Sequence, residues 1–307
     1  MRPARRRFLA AASAGLALAP WARALALAPG EPSRTALGAA RHRAAHQLLE
    51  SPRVFDDPLA LRVLGADEVR RLALEADRYR APAARVLRAF VVARSRLAED
   101  ELSRAVADGV RQYVVLGAGL DTFALRNPYP GLRVFEVDHP ATQAWKRRHL
   151  ASLGIDAARG LTWAPVDFER DALGAALARA GFRHAEPAFF SWLGVTIYLS
   201  REAVSGTLRE IARLARGTRV VFDFSPPRET LPEEERRAHE ALAARVARLG
   251  EPWIGYFEPE ALAAEMRALG FASAEHAGAA ELNARYFSGR ADGFRLYGSG
   301  RLMSARV

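Results

Sequence analysis

The chain has 307 residues, 50% of them apolar, a formal net charge of +10 and no cysteine. That length and apolar share suffice for a sizeable core. The missing cysteines exclude disulfides, thiolate nucleophiles and most zinc sites.

Residues 1–28, "MRPARRRFLAAASAGLALAPWARALALA", differ in texture from the rest. They hold five arginines, Arg2, Arg5, Arg6, Arg7 and Arg23, and no acid. The apolar stretch Phe8 to Ala22 contains Pro20 and is too short to span a bilayer. Its layout is that of a secretory leader, with Ala-x-Ala at Ala22–Ala24 and Ala24–Ala26. Arg5, Arg6, Phe8 and Leu9 resemble the core of a twin-arginine export signal. The alternatives are an exported protein and a cytoplasmic one with a misassigned start. Beyond the leader the arginines are interspersed with acids, which does not point to nucleic acid.

A helical cap is expected over 31–110, forming one domain with an α/β core over 111–300. "SRTALGAARHRAAHQLLE" places Ser33 as an N-cap, with Leu37, Ala40, Ala44 and Leu48 at helical spacing. Pro58 in "VFDDPLA" breaks that pattern. A second helix is expected from Ala83 to Ala107, its apolar face made of Leu87, Phe90, Val91, Leu97 and Ala98. Arg94 falls on that face, and a guanidinium facing the core needs an anionic partner. The partner is either a ligand carboxylate or a structural acid.

From residue 112 short apolar runs alternate with helical stretches: "YVVL", "LRVFEV", "LTWAPV", "AFFSWL" and "TRVVFDF". Such alternation implies a parallel sheet covered on both faces. Helices are expected near Arg201–Arg216 and Pro259–Leu269, closed by Gly217 and Gly270. An additional helix begins at Pro232 with three glutamates in its first turn. "FASAEH" and "FRLYGSG" read as a final antiparallel pair of strands at the sheet edge.

The chemistry is carried by "YVVLGAGLDTFALR". Gly117 and Gly119 end the first strand, where open α/β sheets bind ligands. A dinucleotide fingerprint would need a third glycine at Thr122, and a P-loop would need a lysine. Asp121 also disfavours a phosphate on the following helix N-terminus. Glu136 and Asp138 close the second strand, where an acid accepts hydrogen bonds from ribose hydroxyls. A nucleoside without pyrophosphate fits, and S-adenosylmethionine is such a ligand. His42 and His46 stand four apart, but lack the Glu and third ligand of a metal site. "NPYP" follows the wrong strand for an amino-methylase motif and reads as a turn.

With these residues in place, the chain resembles the leucine carboxyl methyltransferase-like class of S-adenosylmethionine-dependent methyltransferases, in its bacterial branch. The resemblance runs from Ser33 to Leu296. It rests on "SRTA…RAAHQLL", "VFDDPLA", "ARSRLAEDEL", "LGAGLDTFALR", "VFEVDHP" and "LNARYF". It implies a class I methyltransferase fold, a Rossmann-like, doubly wound, mostly parallel seven-stranded sheet whose last strand is antiparallel. It implies that Arg94 holds the cofactor carboxylate, that Gly117 and Gly119 line its turn and that Asp138 binds the ribose, with Glu136 as rival. Asp167 and Phe168 of "PVDFER" would flank the adenine. Many relatives carry Ala-Glu-Gly after the fourth strand, whereas this chain has Leu193 at the glutamate position. That departure speaks against a protein C-terminal leucine as acceptor. No residue is assigned as general base, which favours a carboxyl acceptor over a hydroxyl on a small molecule or peptide. Tyr198, just past the fourth strand, reads as a packed strand-end aromatic, with substrate contact as the alternative. The competing readings are a cofactor-binding protein without activity and a nicotinamide-dependent oxidoreductase.

Overall fold

The structure, a computed structural model, describes residues 33–307. The proposed leader over 1–28 lies outside the described residues.

Seven strands form one sheet in the order β3-β2-β1-β4-β5-β7-β6. They are β1 (Gln112–Leu116), β2 (Arg133–Asp138), β3 (Leu161–Pro165), β4 (Phe189–Trp192), β5 (Arg219–Phe224), β6 (Ser273–Ala277) and β7 (Arg301–Arg306). The first five pair in parallel. β7 runs antiparallel to both its neighbours, β5 and β6. Every residue of β1 is buried, as expected of a strand covered on both faces. The chain order turns back between β1 and β4, so the carboxyl ends of β1, β2 and β4 open onto a common crevice.

The helices are α1 (Arg34–Leu49), α2 (Ala66–Leu74), α3 (Ala76–Arg80), α4 (Pro82–Ala107), α5 (Phe123–Arg126), α6 (Pro140–Ser152), α7 (Leu173–Arg179), α8 (Arg201–Ala212), α9 (Glu233–Ala247), α10 (Pro259–Leu269) and α11 (Ala279–Tyr286). The Ser33 side chain caps α1 by accepting from Ala36 N. Gly270 ends α10 in the left-handed conformation at φ 113°.

Three details depart from the sequence expectation. α8 ends at Ala212 with Arg213 as its C-cap, not at Gly217. Gly217 instead leads into β5, its N–H bonded to Val307 O. "FRLYGSG" is not a strand, because the antiparallel strand begins at Arg301. Phe294 and Leu296 are buried, and the Asn283 side chain of α11 takes both polar groups of Leu296, at 2.8 and 2.9 Å. The apolar alternation there packs on a helix, not in the sheet. β7 also lies inside the sheet, so of the expected antiparallel edge pair β6 alone stands at an edge, opposite β3.

Candidate cofactor site

Beyond β1 the chain turns on Gly117 (φ 66°) and Gly119 (φ 43°), a region that L side chains rarely adopt. A Cβ on Gly117 would stand 2.2 Å from Val195 Cγ2, and one on Gly119 would stand 3.1 Å from Ala36 Cβ. The turn is therefore gripped by the segment after β4 and by the first turn of α1. Asp121 accepts from Phe123 N at 2.7 Å and fixes the start of α5.

Asp138, the last residue of β2, binds this turn directly. Its Oδ2 accepts from Gly119 N at 2.6 Å and its Oδ1 from His139 N at 2.7 Å. Burial raises its pKa, opposed by those two backbone donors. Glu136 is placed differently. It is fully buried and paired with Lys146 Nζ at 2.6 Å, and Lys146 also donates to Asp121 O at 2.9 Å. Glu136 thus supports the turn from behind, whereas Asp138 is half-buried at the strand end.

Burial pushes the Glu136 carboxyl from 4.5 up to about 7, against the pull of Lys146. A raised folded-state pKa gives stability that is full below the unfolded value and is lost as pH rises through the folded one. Unfolding free energy should therefore fall between these two values, by at most about 1.4 kcal/mol per pH unit from this group. Denaturant titrations across that window, repeated on Glu136→Gln, should show the slope reduced in the variant. An identical slope would refute the assignment.

Arg94 lies on the inner face of α4 as expected, and its partner in the structure is an acid of the chain. Its Nη1 is 2.9 Å from Asp223 Oδ2 at the end of β5. Asp223 Oδ1 accepts from Gly194 N at 2.5 Å. The Gly194 backbone lies flat against the guanidinium, and a Cβ there would come within 2.6 Å of Nη2. Phe90 covers the group from 5.9 Å. Arg94 is thus held rigidly beside the segment 193–195, which itself presses on Gly117. Among the described residues its Nη2 and Nε make no hydrogen bond.

Asp167 and Phe168 follow β3. Asp167 Oδ1 accepts from Glu169 N at 3.1 Å, and the Phe168 ring lies 5.7 Å from that of Trp192. Leu193 packs against the apolar cluster between the sheet and α4.

Sequence reasoning missed the groups that join the cap to the glycine turn. Asp57, 1% exposed, lies 2.8 Å from Arg43 Nε of α1 and accepts from Thr122 Oγ1 at 2.7 Å. Arg43 also donates to Leu120 O inside the turn. Arg126 of α5 lies 3.5 Å from Asp57 and pairs with Glu99 of α4. Deeper in the cap, His46 Nε2 accepts from Val54 N at 3.0 Å, so its Nδ1–H donates to Glu50 at 2.9 Å. Glu50 also holds the fully buried Arg88 through Nε and Nη2. His46 is therefore an organiser of the cap.

A parallel sheet reversed by one internal antiparallel strand, with a glycine turn, an acid at the end of β2 and no phosphate-binding device in that turn, defines a class I S-adenosylmethionine-dependent methyltransferase. Comparison with known proteins agrees. The leucine carboxyl methyltransferase family model matches residues 36–212, and the chain belongs to that family. A Bacillus subtilis relative named "Putative S-adenosyl-L-methionine-dependent methyltransferase YktD" is 28% identical over 290 residues, 87% of this chain and 95% of its own. A Parafrankia relative of the same description is 37% identical over 217 residues, 66% of each chain. Among solved structures, one described as a "putative methyltransferase" from Thermobifida fusca superposes with a TM-score of 0.54 at 18% identity. It covers 90% of this chain and 95% of its own. The cofactor is S-adenosylmethionine.

Proposed function

We propose that this methyltransferase transfers its methyl group to oxygen, on a carboxyl or hydroxyl of a small molecule or peptide. The bound cofactor supplies an activated methyl carbon and a good leaving group, so alignment is the protein's share of the work. In this reading Arg94 takes the methionine carboxylate through the guanidinium edge that Asp223 leaves open. Asp138 has one backbone donor on each oxygen, and the remaining lone pairs suit ribose hydroxyls. Gly117 and Gly119 let the cofactor approach the backbone, and Asp167 and Phe168 flank the adenine.

The observation that carries the oxygen assignment is how the nearby proton acceptors are occupied. Asp223 is held by Arg94 and Gly194 N. Glu251 accepts from Arg34 N at 2.8 Å and from the Ser33 and Thr35 hydroxyls. Burial and the surrounding arginines push His42 down to about 3, so it takes up no proton near neutrality. An acceptor that arrives already ionised suits such a site, and a carboxylate does.

The test begins by titrating the full chain with S-adenosylhomocysteine in a calorimeter. Methyl-labelled S-adenosylmethionine is then offered with pools of small carboxylic acids, of small alcohols and phenols, and of small amines and nitrogen heterocycles. Label released by mild alkali marks a methyl ester and supports the carboxyl reading. Alkali-stable label marks an ether and assigns a hydroxyl acceptor. Label only on nitrogen-bearing compounds would refute the proposal.

A further inference from the structure

The loop between α9 and α10 reaches the cofactor crevice. Ile254 N and Gly255 N both donate to Ile197 O, at 2.8 and 2.9 Å. A Cβ on Gly255 would stand 2.1 Å from Thr196 O, so the two backbones touch. This pairing sets Trp253 beside Tyr198, in the segment whose Val195 covers Gly117 and whose Gly194 backs Arg94. The same loop carries Glu251, which clasps the first turn of α1. Four parts of the chain therefore meet above the cofactor turn: the α1 N-terminus, α4, the segment after β4 and the 251–257 loop.

Two buried ring nitrogens in this region, Trp253 Nε1 and His42 Nδ1, complete no well-formed hydrogen bond. An indole N–H can only donate, and a buried donor left unmade is costly. The Tyr198 hydroxyl is the group that the Trp253 and Thr35 side chains approach as hydrogen-bond partners, and burial raises its pKa above the ordinary phenol value. Tyr198 thus stays a neutral phenol at neutral pH and can donate as well. His42 lies two helical turns beyond Thr35 on the same face of α1, its ring 5.5 Å from that of Tyr79. The charge felt by His42 comes from four arginines, Arg88, Arg245, Arg78 and Arg94. Arg88, Arg78 and Arg94 have carboxylate partners. Arg245, on the exposed face of α9, has none among the described residues. The region combines the buried indole donor of Trp253 with the positive charge of Arg245.

We infer that this junction is the methyl-acceptor site, and that Trp253 Nε1 is the donor that holds the acceptor's oxyanion next to Tyr198. Its ligand class is a small organic oxyanion. The inference rests on the methyl-transfer reading above and adds to it the residues that select the acceptor. Trp253 is held from behind by His239 of α9, with ring centroids 5.0 Å apart, so the indole is a fixed donor. Removing its N–H should weaken the acceptor without touching the cofactor.

The experiment uses the full chain saturated with S-adenosylhomocysteine and three probes of similar size: benzoate, 4-nitrophenolate and neutral benzamide. Wild type is expected to bind at least one of the two anions at millimolar concentration and benzamide about tenfold more weakly. Trp253→Phe keeps the ring and removes the donor. It should raise the anion's dissociation constant about tenfold while leaving that of S-adenosylhomocysteine unchanged. His42→Phe should raise it less. Benzoate preference assigns a carboxylate acceptor and nitrophenolate preference a phenolate. The inference is overturned if neither anion binds the saturated protein, or if Trp253→Phe binds them as wild type does. Failure of S-adenosylhomocysteine to bind wild type would instead remove the methyl-transfer reading itself, and this inference with it.

Discussion

Arg94→Met should weaken S-adenosylhomocysteine binding at least about 100-fold, measured by calorimetry on the full chain. Two losses add in the same direction. One is the charge-assisted hydrogen bond from the guanidinium to the methionine carboxylate, worth about 1.5–3 kcal/mol. The other is exposure of that carboxylate to Asp223, which sits 2.9 Å from Arg94 and is no longer neutralised in the variant. The second loss has its own signature. Asp223→Asn added to Arg94→Met should restore binding by about tenfold, because it removes a negative charge facing a negative ligand. Arg94→Lys should fall between wild type and Arg94→Met, since a point charge cannot serve Asp223 and a second carboxylate as a planar fork does. Wild-type affinity in Arg94→Met would mean that Arg94 is only the structural partner of Asp223.

This residue also shows how far the sequence could be read. Helical spacing on α4 was enough to turn Arg94 inward, because a 3.6-residue period fixes which side chains share a face. It could not say what the guanidinium meets, since Asp223 is 129 residues away and that contact depends on the strand order. Gly117, Gly119 and Asp138 were legible for a different reason. A strand end, a turn and the next strand end are local features, and parallel pairing of β1 with β2 brings them together. Asp138 still held a surprise, since its carboxylate caps the Gly119 N–H and so builds the turn itself. Pattern alone could not tell Glu136 and Asp138 apart, because only the fold sends one to Lys146 and the other to the turn. Trp253 left no trace in local pattern, as its position comes from the backbone pairing of Gly255 with Ile197. "FRLYGSG" failed as a strand because period-two apolar spacing reports burial, and a helix face can bury such a segment as well as a sheet can.

The largest stability effect is expected at Asp57. Among the described residues it is the one carboxylate that touches α1 through Arg43, the glycine turn through Thr122 and α5 through Arg126, and it is fully buried. Breaking a buried ionic network by removing one partner costs about 3–5 kcal/mol, because the remaining charges stay buried unpaired. Asp57→Ala should therefore lose a large share of the marginal stability of a folded chain, about 5–15 kcal/mol. The denaturant midpoint is the measurement. Asp57→Asn keeps an oxygen for the Leu59 N–H and sets an amide N–H that the Thr122 hydroxyl can accept but gives up the charge, so its loss should be smaller. A midpoint for Asp57→Ala within error of wild type would show that Arg43 and Arg126 are satisfied by Leu120 O and Glu99 alone. The network also bears on function, since it holds α1 against the turn whose Gly119 faces Ala36. Asp57→Asn should accordingly bind S-adenosylhomocysteine several-fold more weakly even where it remains folded, although Asp57 itself is buried beneath the turn. A stability loss with unchanged affinity would separate the cap's structural role from the shaping of the cofactor site.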